Sequence, residues 1–156
     1  MRQTFTALSL VLAAANSIAG GPIAYPEDYR DWTHVKSMVI HPGHPLESPF
    51  LGIHHVYAND KALRGLRVGH YEDGAVLVFD QLAFQTADKA STEGDRVLLG
   101  VMVKDRQRFA PTGGWGFEGW KENSRDQRLV TDGGAGCYGC HTQVEEQDFV
   151  FTRWRD

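Results

Sequence analysis

Two thiols and an imidazole fall within the segment Cys137-Tyr138-Gly139-Cys140-His141, and only fifteen residues follow it. A short helix turns this spacing into chemistry, because residues three and four apart share one helical face. Both sulfurs and the ring then point the same way, so the fold must offer that face a common partner. C-x-x-C-H is the attachment signature of a c-type haem. The thiols of Cys137 and Cys140 add to the two vinyl groups while His141 reaches the iron. Gly133, Gly134 and Gly136 lie just upstream and let the backbone turn tightly beside a macrocycle.

Two other chemistries use a Cys pair at this spacing. A redox-active or structural disulfide motif sits near the first helix of a domain after a strand. Here the pair is near the C-terminal end, with no βαβ pattern around it. A zinc half-site needs two more ligands, and the chain has two Cys in all. The haem reading therefore leads. The sixth iron position then decides the function. No Met or His follows His141, so a second strong ligand must come from upstream or be absent. Upstream stand Met38, Met102, His34, His41, His44, His54, His55 and His70. His41 and His44 flank a Pro-Gly turn and read as surface residues. His54 and His55 are adjacent on a strand, so at most one faces the core. Met102 lies among strand residues, where filling the core is the usual fate of Met. A five-coordinate, open iron is the expectation.

Residues 1–19 have the three parts of a secretory leader: charged Met1-Arg2, an apolar run from Phe5 to Ala15, and small residues ending in Ser17-Ile18-Ala19. The run is too short to span a bilayer, for which about 20 residues are needed. Cleavage near Ala19 is expected, giving a mature chain 20–156 and export to a bacterial periplasm. A formal net charge of −4 argues against nucleic-acid binding. With 42% hydrophobic and 23% charged residues the chain is that of a folded protein rather than a disordered one.

Within 20–156 a single domain is expected. Tyr25 to Val39 is predicted as a helix, with Pro26 in its first turn and Tyr29, Trp32, Val35 and Val39 at helical spacing. His41-Pro42-Gly43-His44-Pro45 ends it. Short β-branched runs at Ile53–Tyr57, Gly74–Phe79 and Arg96–Val103 read as strands, with a turn at Asp73-Gly74. Trp115–Trp120 and Asp148–Trp154 are predicted as further strands. The fold class is α+β: mainly antiparallel sheet, a few packed helices and a C-terminal haem-binding helix.

Tyr25-Pro26-x-x-Tyr29-Arg30-x-Trp32, His55-Val-Tyr-Ala-Asn59, Asp73-Gly-Ala-Val-Leu-Val-Phe79 and the late Cys-x-x-Cys-His followed by Asp148-Phe-Val-Phe151 together resemble the cytochrome P-460 and cytochrome c′-β family. The resemblance covers nearly all of the mature chain and implies a largely antiparallel fold, a homodimer and an open distal haem face. The hydroxylamine-oxidising members carry a distal Lys cross-linked to the porphyrin. This chain has no Lys from Ala62 to Asp88, and Phe79 stands at the matching place. It is therefore more similar to the c′-β branch, whose distal face is capped by Phe; Phe79 and Phe50 are the matching residues. Asp80, next to Phe79, is expected on the opposite face by strand alternation.

The function expected from these readings is a periplasmic monohaem c-type cytochrome, with one covalently attached haem c. It would bind nitric oxide or another small gas and could pass electrons to an unidentified redox partner. Hydroxylamine or nitric oxide oxidation is the enzymatic alternative, and a six-coordinate electron carrier is the other.

Overall fold

The computed structural model describes residues 22–155, and the leader expected at 1–19 lies outside them. Five antiparallel strands run as a meander in the order β1-β2-β3-β4-β5. They are β1 (Thr33–Ile40), β2 (Gly52–Ala58), β3 (Val76–Ala87), β4 (Ala90–Lys104) and β5 (Trp115–Lys121). Helices α1 (Glu47–Phe50), α2 (Asp60–Val68) and α3 (Ala135–His141) fill the connections and the C-terminal region. The α+β class and the C-terminal helix agree with the sequence reading.

Strand alternation sorts the core onto two faces of the sheet. Ala58, Leu77 and Phe117 bury one face together with Val35, with Ala62 and Leu66 of α2, and with Phe149 and Val150. Cys137 and Tyr138 of α3 pack against this cluster. Val78, Leu99, Val101 and Trp120 bury the opposite face under Ile23, Tyr29 and Phe109. Each such large apolar side chain removed from water contributes about 1.5–3 kcal/mol. On that opposite face Asp80 is fully buried. It accepts hydrogen bonds from the Tyr29 hydroxyl at 2.6 Å, Arg96 Nε at 2.7 Å and Arg30 at 2.9 Å. The N-terminal segment is thereby tied to β3 and β4.

The predicted helix over 25–39 is not formed. Tyr29–Asp31 makes one 3-10 turn, and from Thr33 the chain is the edge strand β1. Helical spacing of the apolar residues was misleading, since Tyr29 and Val35 bury on opposite faces of the sheet. Pairing with β2 recruits a segment rich in Thr and Val, which suit a pleated surface. The break at His41–Pro45 is real, because β1 ends at Ile40. Asp148–Trp154 is likewise not a strand. Asp148 (φ 52°) and Phe149 (φ 64°) both take left-handed backbone, which reverses the chain there. The β3–β4 hairpin runs beyond the expected strands to a tight turn at Asp88-Lys89, both at positive φ.

Helix α2 was not foreseen, although its ends are written in the sequence. The Asn59 side chain accepts the Ala62 N–H at 2.9 Å as an N-cap, and Gly69 closes the helix in left-handed conformation.

Candidate haem site

Helix α3 carries Cys137, Cys140 and His141 as the spacing predicts. Gly133 and Gly134 enter it in left-handed conformation. At Gly134 a Cβ would press on the Phe117 side chain at 3.2 Å, so the helix sits close on β5. Gly136 belongs to the helix itself and makes no turn. Its N–H and that of Gly134 reach the Asp132 carboxylate at 2.7 and 2.9 Å. These two bonds hold the Asp132 carboxyl below its ordinary range.

Both sulfurs are free, Cys137 half-buried and Cys140 exposed. Burial pushes the Cys137 thiol up, and the charge of Asp132 adds to this. A redox Cys-x-x-Cys pair needs the reverse, a thiol made more acidic. Among the described residues no group of three or more His, Cys, Asp or Glu gathers to hold a metal ion.

The His141 ring lies between Phe117 and Phe151, each 5.1 Å away between centroids. Its Nδ1–H donates to the Phe149 carbonyl at 2.7 Å. That bond fixes the tautomer and leaves Nε2 as the lone-pair nitrogen. Burial lowers the His141 pKa, which favours the neutral ring a metal needs.

The residues that hold this acceptor were not singled out in the sequence. Lys104 and Asp148 form a buried ion pair at 2.5 Å behind it. Lys104 also donates to the Gly113 carbonyl at 3.0 Å. Asp148 receives the Tyr71 N–H at 2.8 Å, and its own carbonyl receives the Trp115 indole N–H at 2.8 Å. The segment that offers its carbonyl to His141 is thus fixed to β4, β5 and the loop before β3. Outer partners of this kind orient a metal-binding imidazole. Nothing in the order of the residues signals the pairing, because Lys104 and Asp148 meet only once the sheet is formed.

Phe79 and Phe50 come together edge to face with centroids 5.8 Å apart. Both are half-buried. Phe79 shares its sheet face with Leu77, and hence with the cluster on which α3 packs. Asp80 points to the other face, as alternation predicts. Beside Phe79, β4 and β5 meet at the pair Gly100↔Gly119, a rung without side chains. A Cβ at Gly100 would lie 3.6 Å from Phe79 Cβ, and one at Gly119 3.5 Å from the Leu99 carbonyl oxygen, both ordinary contacts. Neither position has positive φ. Protein packing therefore does not require glycine at this rung.

The other iron-ligand candidates are dispersed. His34, His41, His44 and His70 are exposed, and Met38 is 43% exposed on the edge strand. Met102 is partly buried against the α3-face cluster. His54 is buried and His55 only partly so, in keeping with their alternation. The His54 Nε2–H donates to the Phe50 carbonyl at 2.6 Å. Burial lowers its pKa.

These residues fit a covalently held haem. Two thiols and an imidazole lie three and four residues apart on one helix, the imidazole is oriented by a backbone acceptor, and a bare rung lies beside two aromatic rings on the same sheet face. Cys137 and Cys140 would hold the macrocycle, and His141 Nε2 would hold the iron.

No curated protein is found to match the chain. The family model described as Cytochrome P460 matches residues 26–152, from the N-terminal segment through β1–β5 to the residues just past the His141 acceptor. With the match spanning the whole sheet and the Cys-x-x-Cys-His helix, the chain belongs to the Cytochrome P460 family, whose members are haem c proteins.

Proposed function

We propose that this protein is an exported, periplasmic monohaem cytochrome that binds nitric oxide or a similar small gas. Its haem is attached through Cys137 and Cys140, with His141 on one side of the iron and the other side open beneath Phe79 and Phe50. Haem c, when bound, supplies a redox-active iron with a position for a small ligand. The observation that carries the reading is the Phe50–Phe79 pair on the sheet face shared with α3. Aromatic rings exclude water and present no hydrogen-bond donor to a bound diatomic. Dioxygen gains more from such a donor than nitric oxide does, so an apolar cap favours nitric oxide.

Oxidation of hydroxylamine needs a base near the substrate. The carboxylate next to Phe79, that of Asp80, is buried on the opposite face and bonded to Arg96, Arg30 and Tyr29. Asp80 therefore does not serve as that base. Against the six-coordinate carrier stand the exposure of Met38 on the edge strand and of His34, His41, His44 and His70. Among the described residues no helix is long and apolar enough to cross a membrane. The resemblance to the c′-β branch adds a homodimer, which light scattering on the purified protein tests.

The deciding experiment is absorption spectroscopy of the purified holoprotein, resting and reduced, with a pyridine haemochrome assay and nitric oxide titration. A high-spin five-coordinate spectrum that changes on adding nitric oxide is expected. A six-coordinate low-spin resting spectrum overturns the reading in favour of the electron carrier.

A further inference from the structure

Next to Phe79 on the same sheet face, β2 and β3 bury a pair of polar side chains. His54 and Gln81 are cross-strand partners, 2% and 0% exposed. Gln81 Nε2 donates to the Pro49 and Leu51 carbonyls, each at 2.9 Å. His54 Nε2 donates to the Phe50 carbonyl between them at 2.6 Å. Three consecutive carbonyls, those of the residue bearing the Phe50 ring and of its two neighbours, are thus held by the sheet. The His54 ring also lies 4.5 Å from the Phe79 ring and 6.3 Å from the Phe50 ring, between centroids. One imidazole therefore holds the backbone under one phenylalanine and packs on the ring of the other.

Apolar side chains would fill this space without stranding polar atoms. Instead, His54 Nδ1 and Gln81 Oε1 are both buried without a hydrogen-bond partner. At the C-terminal end of the held segment, Gly52 (φ +133°) brings the backbone so close that a Cβ would collide with the Leu82 carbonyl. The stretch carrying Phe50 is fixed along its length and at its exit.

We propose that His54 and Gln81 are positioning residues for the Phe50–Phe79 cap. By holding the carbonyls of residues 49–51 they keep Phe50 edge-on to Phe79, and so set how readily a diatomic gas reaches the iron. The proposal rests on the gas-binding reading above. Gln81 acts through the backbone around Phe50, and His54 through both Phe50 and Phe79.

The test uses haem-loaded holoprotein, with Gln81→Met, His54→Phe and His54→Gln made singly and Phe79→Ala as a reporter of the cap itself. Carbon monoxide rebinding after photolysis, nitric oxide association by stopped flow and the C–O stretching band are measured, along with haem content. Gln81→Met and His54→Phe are expected to raise the carbon monoxide association rate by about three- to tenfold. They should also broaden the C–O band, because Phe50 samples more than one position. His54→Gln keeps an N–H for the Phe50 carbonyl but loses the ring against Phe79, and should fall closer to wild type than His54→Phe. If Gln81→Met fails to load haem, the contrast between His54→Phe and His54→Gln decides. The proposal is overturned, and gas binding beneath the cap survives, if Phe79→Ala alters the rates while the His54 and Gln81 variants match wild type. If Phe79→Ala also leaves the rates unchanged, the cap itself is displaced from the ligand path and the proposal falls with it.

Discussion

At the scale of single residues, the site divides into groups that hold and groups that orient. Cys137 is half-buried against the α3-face cluster and Cys140 is exposed, so the two sulfurs are unequal. Cys137→Ser should leave a chain that retains much less covalent haem, read as loss of colour after denaturing electrophoresis with haem staining. Normal staining would place the attachment elsewhere. His54 predicts a pH response of defined sign. Burial holds its folded pKa below the 6.5 of a free imidazole. Between those values the unfolded chain binds a proton that the native chain does not, so stability falls as pH drops below the unfolded value. The slope is at most about 1.4 kcal/mol per pH unit, and the loss levels off below the folded value. Denaturant melts from neutral to acid pH should show a shallower decline in His54→Phe than in wild type. Parallel profiles would mean that His54 binds protons equally in the folded and the unfolded chain.

At the scale of elements, the Lys104–Asp148 pair links the end of β4 to the turn that supplies the His141 acceptor. Removing one partner of a buried pair leaves a charge without compensation and costs about 3–5 kcal/mol. Lys104→Met should therefore lower the denaturation midpoint markedly, and Lys104→Met with Asp148→Asn should recover part of the loss. In the holoprotein the iron–histidine stretch, seen by resonance Raman, should shift in Lys104→Met. An unmoved stretch would confine the pair to stability alone. The Cys-x-x-Cys-His helix was legible because Cys137, Cys140 and His141 state their geometry by spacing, and β2, β3, β4 and β5 by their β-branched and aromatic runs. β1 was not, because Tyr29, Val35 and Val39 satisfy a helical period, and only the pairing of β1 with β2 selects the strand. The terminal strand failed at Asp148 and Phe149, whose left-handed backbone depends on Lys104, Tyr71 and Trp115, residues distant in the chain. His54 stood among several weak ligand candidates, and Gln81 carried no local signal at all.

At the scale of the whole molecule, one sheet serves two different ends. The face away from α3 is closed by the chain itself, with Tyr29, Phe109 and Trp120 in its core and the Asp80–Arg96 pair beside Tyr29. The α3 face is closed only in part, and at Gly100↔Gly119 it carries no side chains although the backbone and the surroundings would accept a Cβ at either position. Glycine within a strand costs stability, by about 0.5–1 kcal/mol relative to Ala. A folded chain serving only its own stability would have a side chain there. Gly119→Ala should thus leave the haem-free protein as stable as wild type or more so, by up to about 1 kcal/mol. The same change should reduce haem incorporation during maturation, because the new side chain stands on the face shared with Phe79. Both quantities come from one preparation, by denaturant melting of the haem-free fraction and by haem-to-protein ratio. A variant that loads haem as wild type does would remove this rung from the site. A variant that loses stability in the haem-free state would show that the glycines serve the sheet, and not the group that lies against it.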